Sequence, residues 1–402
     1  MKRRDFIAGA TLLSLLSSNA WAARRHAAAK KKAANAKAGS AARKSADSPA
    51  RSAYRPVTDD PPDGTSASRL PPVKAIEPPD DWRGYEITTT VHLKQMPERA
   101  RLWLPLPLNQ DTLYQRTIGH QWSGNAELSN MRRLPDGDLE VFSCEWKADS
   151  AEEPRLVLTT QVMTADRHFD VARRSVAPER PDILRRNLQS SGLIPNDGAA
   201  HQLGARIVGR IRDPLAQAKA IFDWVVDQAT YTPELPAGKG GDIRTQFETG
   251  RFGGRSLEIN GLFVALCRAI GIPARCVHGL RLGPSRLFGK LGLADADATR
   301  GQHCRAEFYI PGYGWIPVDA SDVRRAATLE GLTERDSRVL ALRKILFGVW
   351  EMNWMAYNRG ADLNLPGSSF RLPFFTLPRL ELGESGDAKP FEYSISARRL
   401  DP

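Results

Sequence analysis

The first half of the chain carries several short runs in which polar and apolar side chains alternate. Turn-forming residues such as Pro135–Asp138 separate these runs. A period of two buries one face of each run, which predicts β-strands, and several such strands between residues 81 and 180 predict a β-sandwich. The runs are Tyr85–Leu93, Ala100–Leu104, Leu139–Trp146 and Arg155–Met163.

After about residue 183 the apolar residues follow helical spacing. They recur every three or four positions from Ala218 to Val226, and Asp213–Pro214 before them is a typical helix start. A second, more apolar helix is predicted from about Ser256 to Ile270, with Gly271 as its C-terminal cap. The other predicted elements are a strand at 274–282, a hairpin at 302–319, a helical segment at 335–350 and a strand at 391–397.

The first 22 residues have the three parts of an export signal. Three basic residues, Lys2-Arg3-Arg4, precede the apolar run Ile7–Leu16, and Ala20-Trp21-Ala22 is a small-residue cleavage site. The run is too short to span about 30 Å of hydrocarbon, so we expect cleavage and not a membrane anchor. The Arg-Arg-x-Phe form resembles a twin-arginine signal, which implies export of the folded protein to the periplasm or the medium.

The net charge of +11 lies at the N-terminus and not in the predicted folded part. Residues 1–55 hold 13 lysines and arginines against two acidic residues, whereas the other 347 residues hold 44 of each sign. This balance argues against a nucleic-acid-binding domain. Residues 23–80 are rich in Ala, Lys, Arg, Ser and Pro, which predicts a disordered linker. The linker is either a solvated spacer or a basic segment that rests on an anionic envelope surface.

The cysteines and acidic residues indicate neither a cofactor nor a metal. The four cysteines form no CxxC pair and no cluster with histidine, and one optional disulfide is the most they allow. Cys276 and His278 share a strand face, which fits a buried thiol better than a catalytic pair. Asp319 and Asp322 are interpreted as the turn that ends the hairpin and not as metal ligands.

Three segments carry residues suited to nucleophilic catalysis. Ser256 follows Gly253-Gly254-Arg255 at the start of the apolar helix, where the helix dipole and free N–H groups favour a nucleophile and an oxyanion. His303 and Asp319 lie on the two strands of the predicted hairpin, which supplies a base and the acid that orients it. The sequence therefore nominates Ser256, His303 and Asp319 as catalytic residues.

These segments resemble the transglutaminase-like superfamily, whose fold is papain-like. The resemblance rests on Arg268-Ala-Ile-Gly-Ile-Pro-Ala-Arg275, on His303 and on Gly314-Trp-Ile-Pro-Val-Asp319. It implies an α+β domain over about 183–335 with a central helix packed on an antiparallel sheet, after the sandwich and before a C-terminal extension at 336–402 that packs on the core. It also implies that Ser256 stands where the family has its catalytic cysteine.

The serine leaves two main functions open. A thiol with a pKa near 8.5 can ionise beside an imidazolium, whereas a serine hydroxyl must lose its proton during attack. The first hypothesis is a degenerate member, a pseudoenzyme that binds a peptide or cell-wall peptide with little or no turnover. The alternative is an active Ser-His-Asp amide hydrolase or acyltransferase. A third hypothesis, binding to the envelope through the basic tail, is weaker.

Overall fold

The computed structural model describes residues 81–400, except 95–97, 135–137, 150, 171–175, 234–242 and 384–386. The predicted signal peptide and the predicted linker at 23–80 lie outside the described residues. In the part of the chain that is described, no helix has the length and hydropathy needed to cross a membrane.

The helices and strands follow one another along the chain with most strands in the first and last thirds. The helices are α1 Pro181–Arg186, α2 Gly198–Val208, α3 Pro214–Gln228, α4 Ile243–Thr249, α5 Ser256–Ala269, α6 Ala320–Leu329 and α7 Ser337–Ile345. The strands are β1 Trp82–His92, β2 Ala100–Leu106, β3 Gln115–Gly124, β4 Leu128–Leu134, β5 Leu139–Trp146, β6 Arg155–Ala165, β7 Arg167–His168, β8 Thr230–Tyr231, β9 Gly253–Gly254, β10 Ala274–Arg281, β11 Gln302–Ile310, β12 Gly314–Val318, β13 Val349–Trp350, β14 Trp354–Asn358, β15 Leu363–Asn364, β16 Arg371–Leu372, β17 Arg379–Leu382, β18 Asp387–Lys389 and β19 Tyr393–Leu400.

Two antiparallel sheets with a shared apolar core form the N-terminal part. One sheet has the order β19-β1-β6-β3 and the other the order β18-β17-β2-β5-β4. Alternate residues of both sheets, among them Val91, Leu104, Phe142 and Leu156, meet in one buried cluster. The alternation noted in the sequence therefore serves face-to-face packing of two sheets.

The C-terminal residues complete sheets that begin elsewhere in the chain. Strands β17 and β18 extend one sheet of the sandwich and β19 extends the other, while β14 pairs with β10. The strand β13 also pairs with β7, so the described part of 336–402 supplies strands to four sheets that contain strands from earlier in the chain. The exact domain limits of 81–180, 183–335 and 336–402 remain predictions.

The helix α5 is the centre of the second part and packs on the sheet β12-β11-β10-β14. Every residue from Leu257 to Arg268 is buried. A helix that is apolar on all sides must be covered on all sides, and here the sheet covers one face while α2, α3 and α6 cover the others. The structure therefore confirms the predicted α+β fold, in which a central helix packs on an antiparallel sheet.

Candidate active site

Ser256 is the first residue of α5 and follows a glycine pair in an unusual conformation. Gly253 and Gly254 have φ values of +148° and +132°, and a Cβ on Gly253 would lie 2.3 Å from the backbone oxygen of Thr230. Only glycine fits this approach of β9 to β8. The Ser256 side chain is half-buried, and its Oγ accepts a hydrogen bond of 3.1 Å from the backbone N–H of Cys304.

His303 and Asp319 form a buried pair beside the tip of this helix. His303 lies near the start of β11, and Asp319 follows β12 and caps α6 by accepting a hydrogen bond from Asp322 N. The distance from His303 Nε2 to Asp319 Oδ2 is 2.7 Å, and both side chains are almost fully buried. An aspartate in this position orients the imidazole ring. No hydrogen bond joins Ser256 Oγ to this ring, although both residues are described.

Asn260 connects α5 to the aspartate. Its Nδ2 donates to Cys304 O at 2.8 Å and to Asp319 Oδ1 at 2.9 Å, and its Oδ1 accepts from Ala320 N at 3.0 Å. One turn separates Ser256 from Asn260, so the helix holds both on the same face. Asp319 is thereby fixed to the same helix that presents the serine. This role of Asn260 was not predicted from the sequence.

Two buried arginines balance the negative charge around His303. Arg281 Nη2 lies 2.6 Å from Asp322 Oδ1, and Arg305 Nε lies 3.5 Å from Asp319 Oδ2. Asp322 is a second carboxylate near the ring, 3.6 Å from His303 Nε2. Burial, together with the positive charges of Arg281 and Arg305, holds the pKa of His303 well below its ordinary value. The ring is therefore a neutral base.

His303, Asp319 and Asp322 place one potential ligand atom each within 4.8 Å of one another. Both carboxylates already contact a buried arginine. A divalent cation would have to lie beside two guanidinium groups, which opposes its binding. The chemistry of the donor set thus favours an orienting role for the carboxylates over a metal site.

A narrow cleft of about 40 Å³ reaches Ser256 from the surface. The starts of α5 and of β11, including His303, contribute most of its lining. Phe374 and Thr376 also line it, although they lie in the C-terminal part of the chain, far in sequence from Ser256 and His303. The lining residues are Arg255, Ser256, Leu257, Glu258, His278, Gln302, His303, Cys304, Phe374 and Thr376.

The remaining residues that the sequence singled out have structural positions. All four cysteines are buried free thiols. Cys276 and His278 do share a strand face, and His278 is the cross-strand partner of Cys304. The aromatic residues Trp350, Trp354 and Tyr357 belong to the core.

Several residues of the site had no signal in the sequence. Arg281, Arg305, Phe374 and Thr376 are ordinary residue types without a motif. Only the fold brings the two arginines to Asp322 and Asp319 and brings Phe374 and Thr376 to the cleft.

Comparison with known proteins identifies the same region. Residues 201–320 match the family model described as the transglutaminase-like superfamily. A Haemophilus influenzae protein described as uncharacterized is 32% identical over 341 residues, which cover 79% of this chain and 91% of that protein.

Two solved structures from other bacteria are similar at lower identity. A Cytophaga hutchinsonii protein described as a candidate cysteine protease is 19% identical, covering 79% of this chain and 98% of that chain, with a TM-score of 0.46. The periplasmic domain of TgpA from Pseudomonas aeruginosa is 18% identical, covering 60% of this chain and 93% of that chain, with a TM-score of 0.32.

The matched region contains the helix that begins at Ser256 and the strand that carries His303. It ends one residue after Asp319. The family match and the site geometry therefore concern the same residues. The chain belongs to the transglutaminase-like superfamily.

Proposed function

We propose that this protein is an exported, degenerate member of the superfamily that binds an amide of a peptide or cell-wall peptide stem with little or no turnover. The observation that carries the proposal is the state of the Ser256 hydroxyl. It accepts a hydrogen bond from Cys304 N, while the neutral His303 ring is bound to Asp319. A serine cannot pre-ionise, so without a base in contact it stays a polar group of the cleft.

The same geometry supports binding of a peptide amide. The first N–H groups of α5 have no partner within the helix and can hold a carbonyl oxygen. Export belongs to the proposal and rests on the basic start, apolar run and small-residue site of residues 1–22.

The test is binding without cleavage. Calorimetric titration of the mature protein with short neutral peptides and with cell-wall stem peptides is expected to show saturable binding. Mass spectrometry of the same mixtures should return intact peptide after prolonged incubation. The variant Ser256→Trp places an indole at the cleft of about 40 Å³ that Ser256 lines. The indole is expected to block the cleft and abolish binding. Efficient cleavage or crosslinking that is lost in Ser256→Ala would refute the proposal.

A second candidate, a Ser-His-Asp amide hydrolase, is favoured by the neutral state of His303. A serine needs a neutral imidazole as its base, whereas a thiolate is paired with an imidazolium. Burial, Arg281 and Arg305 lower the pKa of His303, which keeps the base available below the ordinary histidine value of about 6.5. Labelling of Ser256 by a fluorophosphonate that persists at pH 6 and is absent in His303→Ala would support this candidate. Clean absence of labelling in folded protein would count against it.

A further inference from the structure

Three residues that line the cleft, His278, Phe374 and Thr376, belong neither to α5 nor to β11. His278 lies on β10, and its ring stacks on that of Phe374, with a centroid distance of 5.6 Å and an interplanar angle of 17°. Thr376 is buried and lies two residues beyond Phe374. We call these three residues the far wall. Phe374 and Thr376 lie outside the segment that matches the family model, so the family match does not account for them.

His278 brings an unused polar group to the far wall. The side chain is 3% exposed, and its Nδ1 is buried without a hydrogen-bond partner. An unmade hydrogen bond of a buried polar group destabilises a fold, so such groups call for an explanation. Burial lowers the pKa of His278 to about 4, which makes the ring neutral at physiological pH. A neutral ring can pair with an uncharged polar group of a ligand.

The size of the cleft limits what can enter. A water molecule needs about 10–15 Å³ of such space, so a cleft of about 40 Å³ holds about three waters, which suits a small side chain and not a long or aromatic one. Phe374 is half-buried and is the bulkiest apolar residue of the lining, so we expect it to set much of this limit.

The far wall also lacks a charge that could hold an ion. Phe374 and Thr376 are uncharged, and His278 is neutral. The charged lining residues, Arg255 and Glu258, belong to the start of α5, where Glu258 accepts a hydrogen bond of 2.8 Å from the backbone N–H of Arg255. A charged side chain would lose its hydration at this wall without gaining a partner, which is unfavourable.

We propose that the far wall is a specificity pocket that accepts a small uncharged residue, of glycine or alanine size, next to the amide held at Ser256. This inference rests on the proposed function, because it names the peptides that the same cleft would select. His278 and Thr376 offer polar contacts to the backbone of that residue, and Phe374 limits the length of its side chain.

The size limit can be tested without any peptide. In Ser256→Cys, the new thiol is treated with a methyl and with a benzyl methanethiosulfonate, and each rate is divided by that of free cysteine. The native protein measures the background from its four buried cysteines. We expect the methyl reagent to react about 10-fold faster or more, since a pocket discriminates extra carbons by 10- to 200-fold. Adding Phe374→Ala, or Phe374→Leu if that variant is unstable, should bring the ratio of the methyl rate to the benzyl rate close to one.

The matched control is Phe370→Ala, because Phe370 is an exposed aromatic residue of the same segment and does not line the cleft. It should leave the ratio unchanged. Three results would each overturn the pocket. They are equal rates for the two reagents in Ser256→Cys, a thiol that reacts with neither reagent, and a methyl-to-benzyl rate ratio that Phe374→Ala leaves unchanged.

Peptide titration then separates the pocket from the proposed function. Three peptides that differ only in one residue, alanine, leucine or glutamate, are titrated. The alanine peptide should bind the native protein with an affinity about 10-fold or more higher than the other two, as expected for pocket discrimination. Binding that is equal for all three overturns the pocket and leaves amide binding intact. Absence of all binding, with the thiol ratio as expected, refutes the proposed function and keeps the size limit of the cleft.

Discussion

Replacing Ser256 by cysteine is expected to raise the rate of peptide amide hydrolysis by about 100-fold or more over the native chain. Cysteine is the more nucleophilic residue and needs less help from a base, and general base assistance alone contributes about 10²- to 10⁴-fold. The rest of the arrangement is in place, since His303 is 2.7 Å from Asp319 and Asn260 ties that aspartate to α5. Chromatography with mass spectrometry on a peptide that binds the native protein measures the rate.

The double variant Ser256→Cys with His303→Ala controls for chemistry that does not depend on the dyad. It should lose the gained activity while keeping the fold. Inactivity of the single variant, in a protein that still binds the peptide, would mean that the cleft itself has been rebuilt and that the serine is not the cause of the low turnover.

The second large effect concerns a buried glutamate away from the cleft. Glu307 on β11 is fully buried. Its carboxylate oxygens lie 2.5 Å from Arg167 Nη1, 2.6 Å from Arg275 Nε and 3.3 Å from Arg359 Nε. The guanidinium of Arg275 also stacks on Trp315, with Cζ 3.7 Å from the ring centroid. Three cations from separate parts of the chain thus converge on one carboxylate.

Glu307→Gln is expected to lower the free energy of unfolding by about 3–5 kcal/mol, because removing one partner leaves buried charges without compensation. Chemical denaturation at pH 7 measures the loss. Glu381→Gln is the matched control, since Glu381 is similarly buried but, among the residues that the structure describes, pairs with one arginine, Arg379, and we expect a smaller loss. Equal losses in the two variants would contradict the special role of the cluster.

The stabilisation that Glu307 contributes is expected to depend on pH, with a defined sign. Burial raises the pKa of Glu307, but Arg275, Arg167 and Arg359 outweigh it and lower the pKa below the ordinary glutamate value. The stabilisation is therefore complete above the unfolded-state pKa of about 4.3 and is lost as the pH falls below it. In Glu307→Gln, that part of the acid sensitivity should disappear.

The central helix and the positions of Ser256, His303 and Asp319 could be predicted because their signals are local. The apolar run after Ser256, the cap at Gly271 and the turn between β11 and β12 are each encoded within a few residues. Strands β1, β2, β5 and β6 of the sandwich were predictable for the same reason, since alternation shows within one run, whereas β3 and β4 were not predicted.

The charge balance and the far wall could not be predicted because they depend on pairing between distant segments. Arg281 pairs with Asp322, 41 residues later in the sequence. Phe374 stacks on His278, although the two residues lie in distant segments of the chain. The strand β17 is four residues long and lies among prolines, so its alternation was too short to recognise.

The balance between Asp319, Asp322, Arg281 and Arg305 changes how the serine is understood. A cysteine site needs an imidazolium to hold a thiolate, whereas the charges around His303 favour the neutral ring. The surroundings of the histidine therefore favour a neutral base, which can assist a hydroxyl or an un-ionised thiol without a thiolate–imidazolium pair. This is why the binding role and the hydrolase role differ by one contact, the one between Ser256 Oγ and the ring.

The most direct measurement is a crystal structure of the native protein with a small neutral peptide bound. The account predicts an intact peptide in the cleft, its carbonyl oxygen at the first N–H groups of α5 and its small side chain against Phe374. Ser256 should keep its contact with Cys304 N. A peptide bound elsewhere, or His303 and Ser256 on different surfaces of the protein, would contradict the account.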